Sequence, residues 1–339
     1  MKILSGIQPS SNSLHLGNYI GSILNWKKVI KNMSANDECL FMIADLHALT
    51  SNKNAENLRK NIDLLIATYL ACGIEPSKNV SFFIQSQIPE HCELCWILST
   101  ITPLGQLERM TQFKDKKAKF GENGLDNVNA GLLYYPVLMA GDIMLYQADK
   151  VPVGEDQTQH IEFTRDIVQK FNNIYGDSGI FVMPDGMIDK TSKRIMSLGD
   201  GRKKMSKSFG DSKDTIFLND TDDDIVKKIK TAKTDSIAGI YFDKENRPEV
   251  SNLINIYSAL SGISVEEISK QYNYEKSTKA FKDDLTDIII KELKPIREKF
   301  EVYKNDKELL KKIIKEGNDK AKQQASKTME KVKKAVGLL

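Results

Sequence analysis

The segment CLFMIA, residues 39–44, is an uninterrupted apolar run long enough for one buried strand. A second run, VSFFI, occupies residues 80–84, and apolar side chains recur at helical spacing between Leu58 and Tyr69. Gly73 follows that helical pattern at a position where helices often end. Strands that are apolar throughout, joined by an amphipathic helix, are typical of parallel strands buried on both faces. This part of the chain therefore predicts a strand–helix–strand unit.

The same alternation continues on both sides of this unit. Further strands are predicted over residues 2–6 and 151–153, and helices over residues 17–31, 90–99, 103–117, 130–147 and 155–171. This order of elements predicts an α/β fold with a Rossmann-like, doubly wound parallel sheet. In such sheets the ligand lies beyond the carboxyl ends of the strands.

After about residue 218 the pattern changes to helices alone. Helical periodicity covers residues 252–261, 264–271, 278–301, 306–316 and 318–336, which places two separate helices on either side of Gly317. We expect an α/β domain over residues 1–218 and an all-helical domain over residues 219–319. The last helix, about residues 320–339, either continues the helical domain or packs back on the first domain.

The composition of the 339 residues is that of a folded globular protein, with 40% hydrophobic and 28% charged residues. The net charge is only +3, but residues 291–339 hold 15 basic and 8 acidic side chains. This basic end is either a contact for a polyanion or a solvated, lysine-rich helix face. No apolar run reaches the roughly 18–20 residues of a membrane helix. The N-terminus resembles neither a secretory signal nor a transit peptide, so we expect a cytoplasmic protein without membrane contact.

The pair Cys92 and Cys95 has the spacing of a metal or redox site. A zinc site would need two more ligands, and no second paired Cys/His motif occurs in the sequence. We therefore expect small buried thiols on a helix and no metal site built from protein ligands.

Two common nucleotide-binding motifs are absent from the sequence. Residues 201–208, GRKKMSKS, resemble a Walker A loop, but Ser206 stands where that motif needs glycine. No G-x-G-x-x-G follows a predicted strand, so a dinucleotide-binding fold is not supported.

One candidate site segment joins the first strand to the first helix, with GIQPS at residues 6–10 and HLGN at residues 15–18. Gly6 and Gly17 permit close approach of a ligand to the backbone. The helix start favours an anion, and His15 could donate to a phosphate oxygen. A purely structural hydrogen bond is the alternative interpretation of His15.

Two further segments have suitable chemistry. KMSKS, residues 204–208, follows Gly199 and Gly201, so a glycine-hinged loop could bring two lysines to a phosphate leaving group; the alternative is an exposed basic loop. GEDQ, residues 154–157, opens a helix directly after a strand. Its acids could hold ribose hydroxyls and Gln157 an ammonium group, or the segment could be an ordinary N-cap.

HLGN, followed about 190 residues later by KMSKS, resembles the paired signatures of class I aminoacyl-tRNA synthetases. With ERMTQFK, AGLLYYPVLMAGDI, VPVGEDQTQHIE, RIMSL and NLINIYSALSG, the set resembles bacterial-type tryptophanyl-tRNA synthetases from end to end. The resemblance implies a homodimeric ligase that makes tryptophanyl-AMP from ATP and L-tryptophan with Mg²⁺, releasing pyrophosphate. It then implies transfer of tryptophan to the 3′ end of tRNA(Trp), with release of AMP, and an anticodon-binding role for the helical domain.

The resemblance also implies roles for individual residues. Those implied for catalysis on the phosphates are His15, Lys116, Lys204 and Lys207. Those implied for ATP binding are Gln8, Pro9, Ser10, Gly17, Asn18, Gly154, Glu155, Asp156, Ile195, Lys204, Met205, Ser206, Lys207 and Ser208. Those implied for tryptophan binding are Gly6, His47, Tyr135, Met139, Asp142, Val151, Val153 and Gln157.

Asp142 also stands out on physical grounds. Tyr135, Met139 and Asp142 follow at i, i+4 and i+7 and therefore share one helix face. An acid on that otherwise apolar face needs a partner. An indole N–H is only a donor, so a carboxylate suits it; the alternative is that Asp142 pairs with a nearby lysine or caps a turn.

Two other functions are weighed against this one. Tyrosyl-tRNA synthetases share the fold and the chemistry but usually have GSDQ where this chain has GEDQ. A non-catalytic, synthetase-like RNA-binding protein should have lost His15 or the KMSKS lysines, and these residues are intact. The chain departs from the family pattern at Ser11 and Gly141, where glycine and alanine are usual.

Overall fold

The computed structural model describes residues 1–9, 14–50, 54–118, 129–154, 157–176, 179–187, 194–206, 212–272 and 278–339, without the side chains of Lys116 and Ser212. Its strands are β1 Lys2–Ile7, β2 Glu38–Ile43, β3 Val80–Ile84, β4 Lys150–Pro152 and β5 Asp185–Met187. The helices of the first part are α1 Leu16–Asn18, α2 Leu24–Lys31, α3 Asp45–Ala48, α4 Ala55–Ala71, α5 Glu90–Ser99, α6 Leu104–Glu108, α7 Thr111–Ala118, α8 Ala130–Leu145 and α9 Thr158–Tyr175. Those of the second part are α10 Asp222–Thr231, α11 Pro248–Ser261, α12 Val265–Gln271, α13 Thr278–Asn305 and α14 Lys307–Val336.

The five strands form one parallel sheet in the order β3-β2-β1-β4-β5. The register pairs Cys39 with Val80 and Ile3 with Lys150. The chain moves outward from β1 to β3 on one side and from β4 to β5 on the other, so the strand order reverses between β1 and β4. The predicted α/β fold with a doubly wound parallel sheet is confirmed.

Alternate residues of the strands enter two different cores, as the two-residue period of a strand requires. On β2, Cys39, Phe41 and Ile43 pack on one face, while Leu40 and Met42 pack on the other. The first face is covered by α1, α2 and α4 and continues into the helices of the second part. The second face is covered by α5 to α9. All described residues of both strands β2 and β3 except Glu38 are buried, which explains why these strands are apolar apart from Glu38 and Ser81.

The last helix is continuous, although two helices were predicted on either side of Gly317. A Cβ atom at Gly317 would lie 1.7 Å from the carbonyl oxygen of Phe82, so this glycine lets α14 lie directly on the edge strand β3. Asn318 then accepts a hydrogen bond from the backbone N–H of Ile84 at 3.0 Å. The prediction of a break was wrong because Gly317 serves a close contact between helix and strand rather than a helix end. The contact also shields an edge strand that would otherwise be open to pairing.

Three smaller features of the first part also differ from prediction. The helix expected over residues 103–117 is two helices, α6 and α7. The helix expected from residue 155 begins at Thr158 among the described residues. Strand β5 was not predicted, because its three residues have no apolar pattern and are largely exposed.

The helical second part shares a core with the α/β part. Helix α13 packs along α4, and Leu285, Ile289 and Leu293 belong to the same buried cluster as Phe41 and Phe82. Helix α14 contributes to both cores. The division at residue 218 therefore stays a prediction. Across the described ranges, no helix is both long and apolar enough to span a membrane.

Candidate active site

A cavity of about 340 Å³ opens where the strand order reverses, at the carboxyl ends of β1 and β4. Its size lies within the range of about 300–1,000 Å³ that is common for small-ligand sites. The cavity is lined by Leu4, Gly6, Gln8, Met42, Ala44, His47, Thr50, Gln112, Tyr135, Met139, Asp142, Ile143, Val151, Pro152, Val153, Gly154 and Gln157. The sheet supplies mostly apolar groups, and α8 supplies Tyr135, Met139 and Asp142 from one face. The result is a cavity whose lining combines apolar and polar side chains.

Asp142 is the buried acid of this cavity, with only 1% of its surface exposed. Its Oδ2 accepts a hydrogen bond from Nε2 of His47 at 2.7 Å. Its Oδ1 accepts from Nδ1 of His91 at 2.6 Å and from the amide of Gln85 at 2.8 Å. Burial alone would raise the pKa of Asp142, but the hydrogen bonds from His47 and His91 outweigh it and lower the pKa to about 2. The cavity therefore presents an ionised carboxylate at neutral pH.

A second polar cluster lies at the hydroxyl of Tyr135. This hydroxyl donates to the side-chain oxygen of Gln112 at 2.9 Å and lies 2.7 Å from Nε2 of His160. The ring of Tyr135 also meets that of His47 edge-on, with centroids 6.3 Å apart. The tyrosine is thus fixed in the cavity wall by partners from α7, α9 and α3.

His15 is the N-cap residue of α1. Its Nδ1 accepts a hydrogen bond from the backbone N–H of Asn18 at 3.2 Å, and the Asn18 side chain accepts one from the backbone N–H of His15 at 3.2 Å. A nitrogen that accepts holds no proton, so a neutral His15 has its proton on Nε2. His15 therefore makes the structural hydrogen bond that was the alternative interpretation of this residue. Because Nδ1 accepts this bond, Nε2 carries the proton and is a donor.

The HLGN segment lies next to the beginning of KMSKS. A Cβ atom at Gly17 would be 3.0 Å from Nδ1 of His15 and 3.5 Å from Cβ of Met205, so residue 17 lies between the two segments. Met205 is fully buried in the same core as Leu16. Lys204, by contrast, is exposed.

The KMSKS segment is held by a short hairpin. Met196 and Lys204 form an antiparallel bridge, and the backbone N–H of Met205 donates to the carbonyl of Ile195 at 3.1 Å. The side chain of Asn252, on α11, accepts from the backbone N–H of Met196 at 2.8 Å and donates to its carbonyl at 2.9 Å. A buried amide of the helical part therefore holds the first strand of this hairpin.

The family model for class I tRNA synthetases of tryptophan and tyrosine matches residues 1–294. A curated tryptophan–tRNA ligase of Rickettsia felis is 48% identical over 337 residues, 99% of this chain and 98% of the relative. One from Halalkalibacterium halodurans is 46% identical over 336 residues, with 99% and 97% coverage. This chain belongs to the tryptophan–tRNA ligase family. The prediction of a class I aminoacyl-tRNA synthetase, an enzyme of the ligase class, is confirmed.

Solved structures agree with the family assignment. The tryptophanyl-tRNA synthetase of Mycoplasma pneumoniae superposes with a TM-score of 0.84 at 36% identity, covering 99% of this chain and 97% of that one. The enzyme of Campylobacter jejuni, in complex with ADP and tryptophan, gives 0.82 at 34% identity, with 99% and 100% coverage. A tyrosyl-tRNA synthetase of Aeropyrum pernix shares only the fold, at 20% identity.

The predicted site residues of this tryptophan–tRNA ligase family member fall into four groups. All eight implied for tryptophan binding line the cavity, together with Gln8 and Gly154 of the ATP set. Gly17, Asn18, His15, Lys204, Met205 and Ser206 lie in the neighbouring HLGN and KMSKS segments. Pro9 and Ile195 are buried and do not line the cavity. Outside the described residues lie Ser10, Glu155, Asp156, Lys207, Ser208 and the side chain of Lys116.

Three residues that hold Asp142, directly or through His91, were not predicted as site residues. Gln85 and His91 are its buried donors, and the hydroxyl of Tyr146 lies 2.9 Å from Nε2 of His91. The alternative of a lysine partner or a turn cap for Asp142 is wrong, because its donors are two histidines and an amide. One signal was present: His91 and Gln85 follow an apolar strand at its carboxyl end, where polar residues usually serve a ligand.

The cysteine pair differs from its prediction. Cys92 is exposed, and Cys95 is only partly buried, where it packs against the core on the second face of the sheet. Within the described ranges, no group of three or more His, Cys, Asp or Glu side chains is placed to hold a metal ion.

Proposed function

We propose that this chain activates L-tryptophan with ATP to form tryptophanyl-AMP and transfers the tryptophanyl group to the 3′ end of tRNA(Trp). One observation carries the choice of amino acid: an ionised, buried carboxylate, Asp142, lies in the cavity wall beside the apolar side chains of Met139 and Ile143. An indole N–H is a donor without acceptor capacity, so it complements this carboxylate. Tyrosine would present a hydroxyl in place of the indole N–H, and phenylalanine would offer no donor to the remaining acceptor position of Asp142.

In the first step, a carboxylate oxygen of tryptophan attacks the α-phosphorus of ATP. A bond forms between that oxygen and phosphorus, and the bond to the bridging oxygen breaks, so pyrophosphate leaves. A carboxylate is ionised at neutral pH, so no general base is required. Catalysis then consists of positioning and of stabilising charge on the phosphates.

The groups that would stabilise this charge come from the two neighbouring segments. His15 offers its Nε2–H, since Nδ1 is occupied by the helix cap. Lys204 is exposed at the end of the hairpin and could reach a phosphate. The resemblance adds Lys207, Lys116 and the remaining residues implied for ATP binding to the proposed site. Gln8 and Gly154 mark the side of the cavity on which ATP would lie.

We propose that Mg²⁺ enters with the ATP phosphates. Mg²⁺ commonly keeps several waters and binds through substrate phosphates rather than a cage of protein ligands. The described residues offer no cluster of three or more ligand side chains, which agrees with this mode. When bound, the ion would neutralise charge on the phosphates.

We further propose a cytoplasmic homodimer that binds tRNA with its helical part. An exposed Trp96, 72% accessible, is a typical interface residue and lies on α5 beside α8, which carries the exposed Tyr134. The basic α14 would contact tRNA phosphates. The sedimentation of the chain in solution would show whether it has the mass of the proposed dimer.

The deciding experiment is amino-acid-dependent ATP–pyrophosphate exchange with tryptophan, tyrosine and phenylalanine side by side. Exchange with tryptophan alone supports the proposal. Exchange with tyrosine would reassign the amino acid, and absence of exchange with all three would favour a non-catalytic RNA-binding protein.

A further inference from the structure

Asp142 has one acceptor position left for a ligand. A carboxylate offers about four acceptor positions, two on each oxygen. Oδ1 is filled by Gln85 and His91, while Oδ2 accepts only from His47 among the described residues. Gln85 and His91 are fully buried and do not line the cavity, whereas His47 does. The remaining position is therefore on Oδ2, the oxygen beside the cavity residue.

The proton on His91 decides whether it can hold Asp142. An ionised carboxylate can only accept, so Nδ1 of His91 must be protonated to donate to Oδ1. In the neutral ring, Nε2 is then an acceptor, and the Tyr146 hydroxyl, 2.9 Å away, donates to it. Burial raises the pKa of Tyr146, which keeps that hydroxyl protonated. The hydroxyl thus satisfies Nε2 of His91 in the tautomer that donates to Asp142.

Packing fixes the ring of His91 in this orientation. Phe83 stacks on His91 with centroids 6.0 Å apart and planes 21° apart, and Tyr146 lies 5.1 Å from Phe83. The three rings come from β3, α5 and the end of α8. A ring held on this many sides cannot rotate freely to exchange its two nitrogens.

We propose that Tyr146 and His91 are positioning residues that set the cavity's preference for an aromatic side chain with an N–H group. They act through Asp142 and do not touch the ligand. This inference rests on the proposed tryptophan specificity. Without the Tyr146 hydroxyl, Nε2 of His91 loses its buried donor, while the carboxylate of Asp142, which can only accept, still holds the proton on Nδ1. One of the contacts that orient the His91 ring is then lost, so the Nδ1–H hydrogen bond that positions the carboxylate weakens.

The test uses Tyr146→Phe in pyrophosphate exchange with tryptophan and with β-(3-benzothienyl)alanine, in which sulfur replaces the indole N–H. We expect the KM for tryptophan to rise about 3- to 10-fold, the loss typical of one hydrogen bond. The KM for ATP and the KM for the sulfur analogue should stay unchanged, so the preference for tryptophan falls by the same factor. His91→Asn, whose amide can donate near the position of Nδ1, should lose less preference than His91→Ala.

Tyr257→Phe is the matched control, because it removes a buried hydroxyl that lies 3.2 Å from Tyr272 in the helical part. The preference of this control variant for tryptophan over the sulfur analogue should equal that of the wild type. If Tyr146→Phe behaves like this control, the inference is wrong, while exchange by the wild type with tryptophan upholds the proposed function. If the wild type gives no exchange with tryptophan, the proposed function fails and the inference falls with it.

A readout independent of activity is nitrogen NMR of the full chain with ¹⁵N-labelled histidine, since the chain has only four histidines. We expect a protonated Nδ1 and an unprotonated Nε2 at His91, the reverse of His15. Tyr146→Phe should leave Nδ1 of His91 protonated and shift the signal of the unprotonated Nε2, because the hydrogen bond to Nε2 is lost. An unchanged His91 spectrum would contradict the proposed role of the hydroxyl.

Discussion

The carboxylate of Asp142 accepts hydrogen bonds from His47, His91 and Gln85, and an amide cannot replace it without turning an NH₂ group toward one of these donors. We predict that Asp142→Asn lowers kcat/KM for tryptophan about 10- to 100-fold, the range for a hydrogen bond to a charged group. Pyrophosphate exchange measures this loss. Asp166→Asn, at an exposed acid that accepts from Gln106, is the control and should stay within about 2-fold. Equal rates in the two variants would refute the assigned role.

The depressed pKa of Asp142 also predicts a pH dependence of stability. The folded chain holds this pKa at about 2, below the ordinary value of 3.8, so folding favours the ionised form. The contribution, about 2 kcal/mol, is fully present above about pH 4 and is lost as the pH falls toward 2. The difference in unfolding free energy between wild type and Asp142→Asn, measured by urea titration, should therefore shrink over this window. A difference that stays constant from pH 5 to 2.5 would contradict it.

For single residues, the sequence predicts those that line the cavity better than those that hold Asp142 in place. The i, i+4, i+7 spacing of Tyr135, Met139 and Asp142 is a local property of one helix, and it placed an acid on an apolar face correctly. Gln85 and His91 reach the same carboxylate from more than 50 residues away in the chain, at 2.8 and 2.6 Å. No local period encodes such a contact, so their role needed the structure.

At the scale of elements, the hairpin that begins KMSKS depends on Asn252. Asn252→Ala would leave the backbone N–H and carbonyl of Met196 without this buried partner. We predict a loss of about 1–3 kcal/mol in unfolding free energy and a raised KM for ATP with an unchanged KM for tryptophan. Ser251→Ala is the control, since it removes a partly buried hydrogen bond that the Ser251 hydroxyl accepts from the backbone N–H of Asp243. A KM for ATP that rises equally in both variants would show that Asn252 has no special effect on the hairpin.

The contact between α14 and β3 gives a second prediction for an element. Gly317→Ala should destabilise the chain despite the better helix propensity of alanine, because its Cβ would overlap the carbonyl of Phe82 at 1.7 Å. Gly141→Ala, also inside a helix, meets only ordinary contacts at 3.5 Å from Cys95 and should gain about 0.5–1 kcal/mol. Thermal unfolding of both variants checks this. A stabilised Gly317→Ala would mean that α14 does not lie tightly on β3.

For the whole molecule, the fold follows from patterns that are strong in the sequence. Two apolar runs and the helices between them predicted the parallel sheet, because strands buried on both faces need apolar residues throughout. The single core shared by α4 and α13 was not predictable in this way. A composition change near residue 219 indicates new local structure, but it does not show whether the new helices pack on the old ones.

The charge distribution of the whole molecule predicts how it binds tRNA. On α14, Lys315, Lys322, Lys327 and Lys331 are exposed and form no ion pair with any described residue, whereas Lys307 pairs with Asp63 at 3.0 Å. If these lysines contact phosphates, affinity should fall with salt, and replacing all four by glutamine should reduce the log–log slope by up to about 0.7–0.9 for each contact made. Filter binding of tRNA across a salt series measures this slope. Lys307→Gln is the control, and a quadruple variant with the wild-type slope would place the tRNA elsewhere on the molecule.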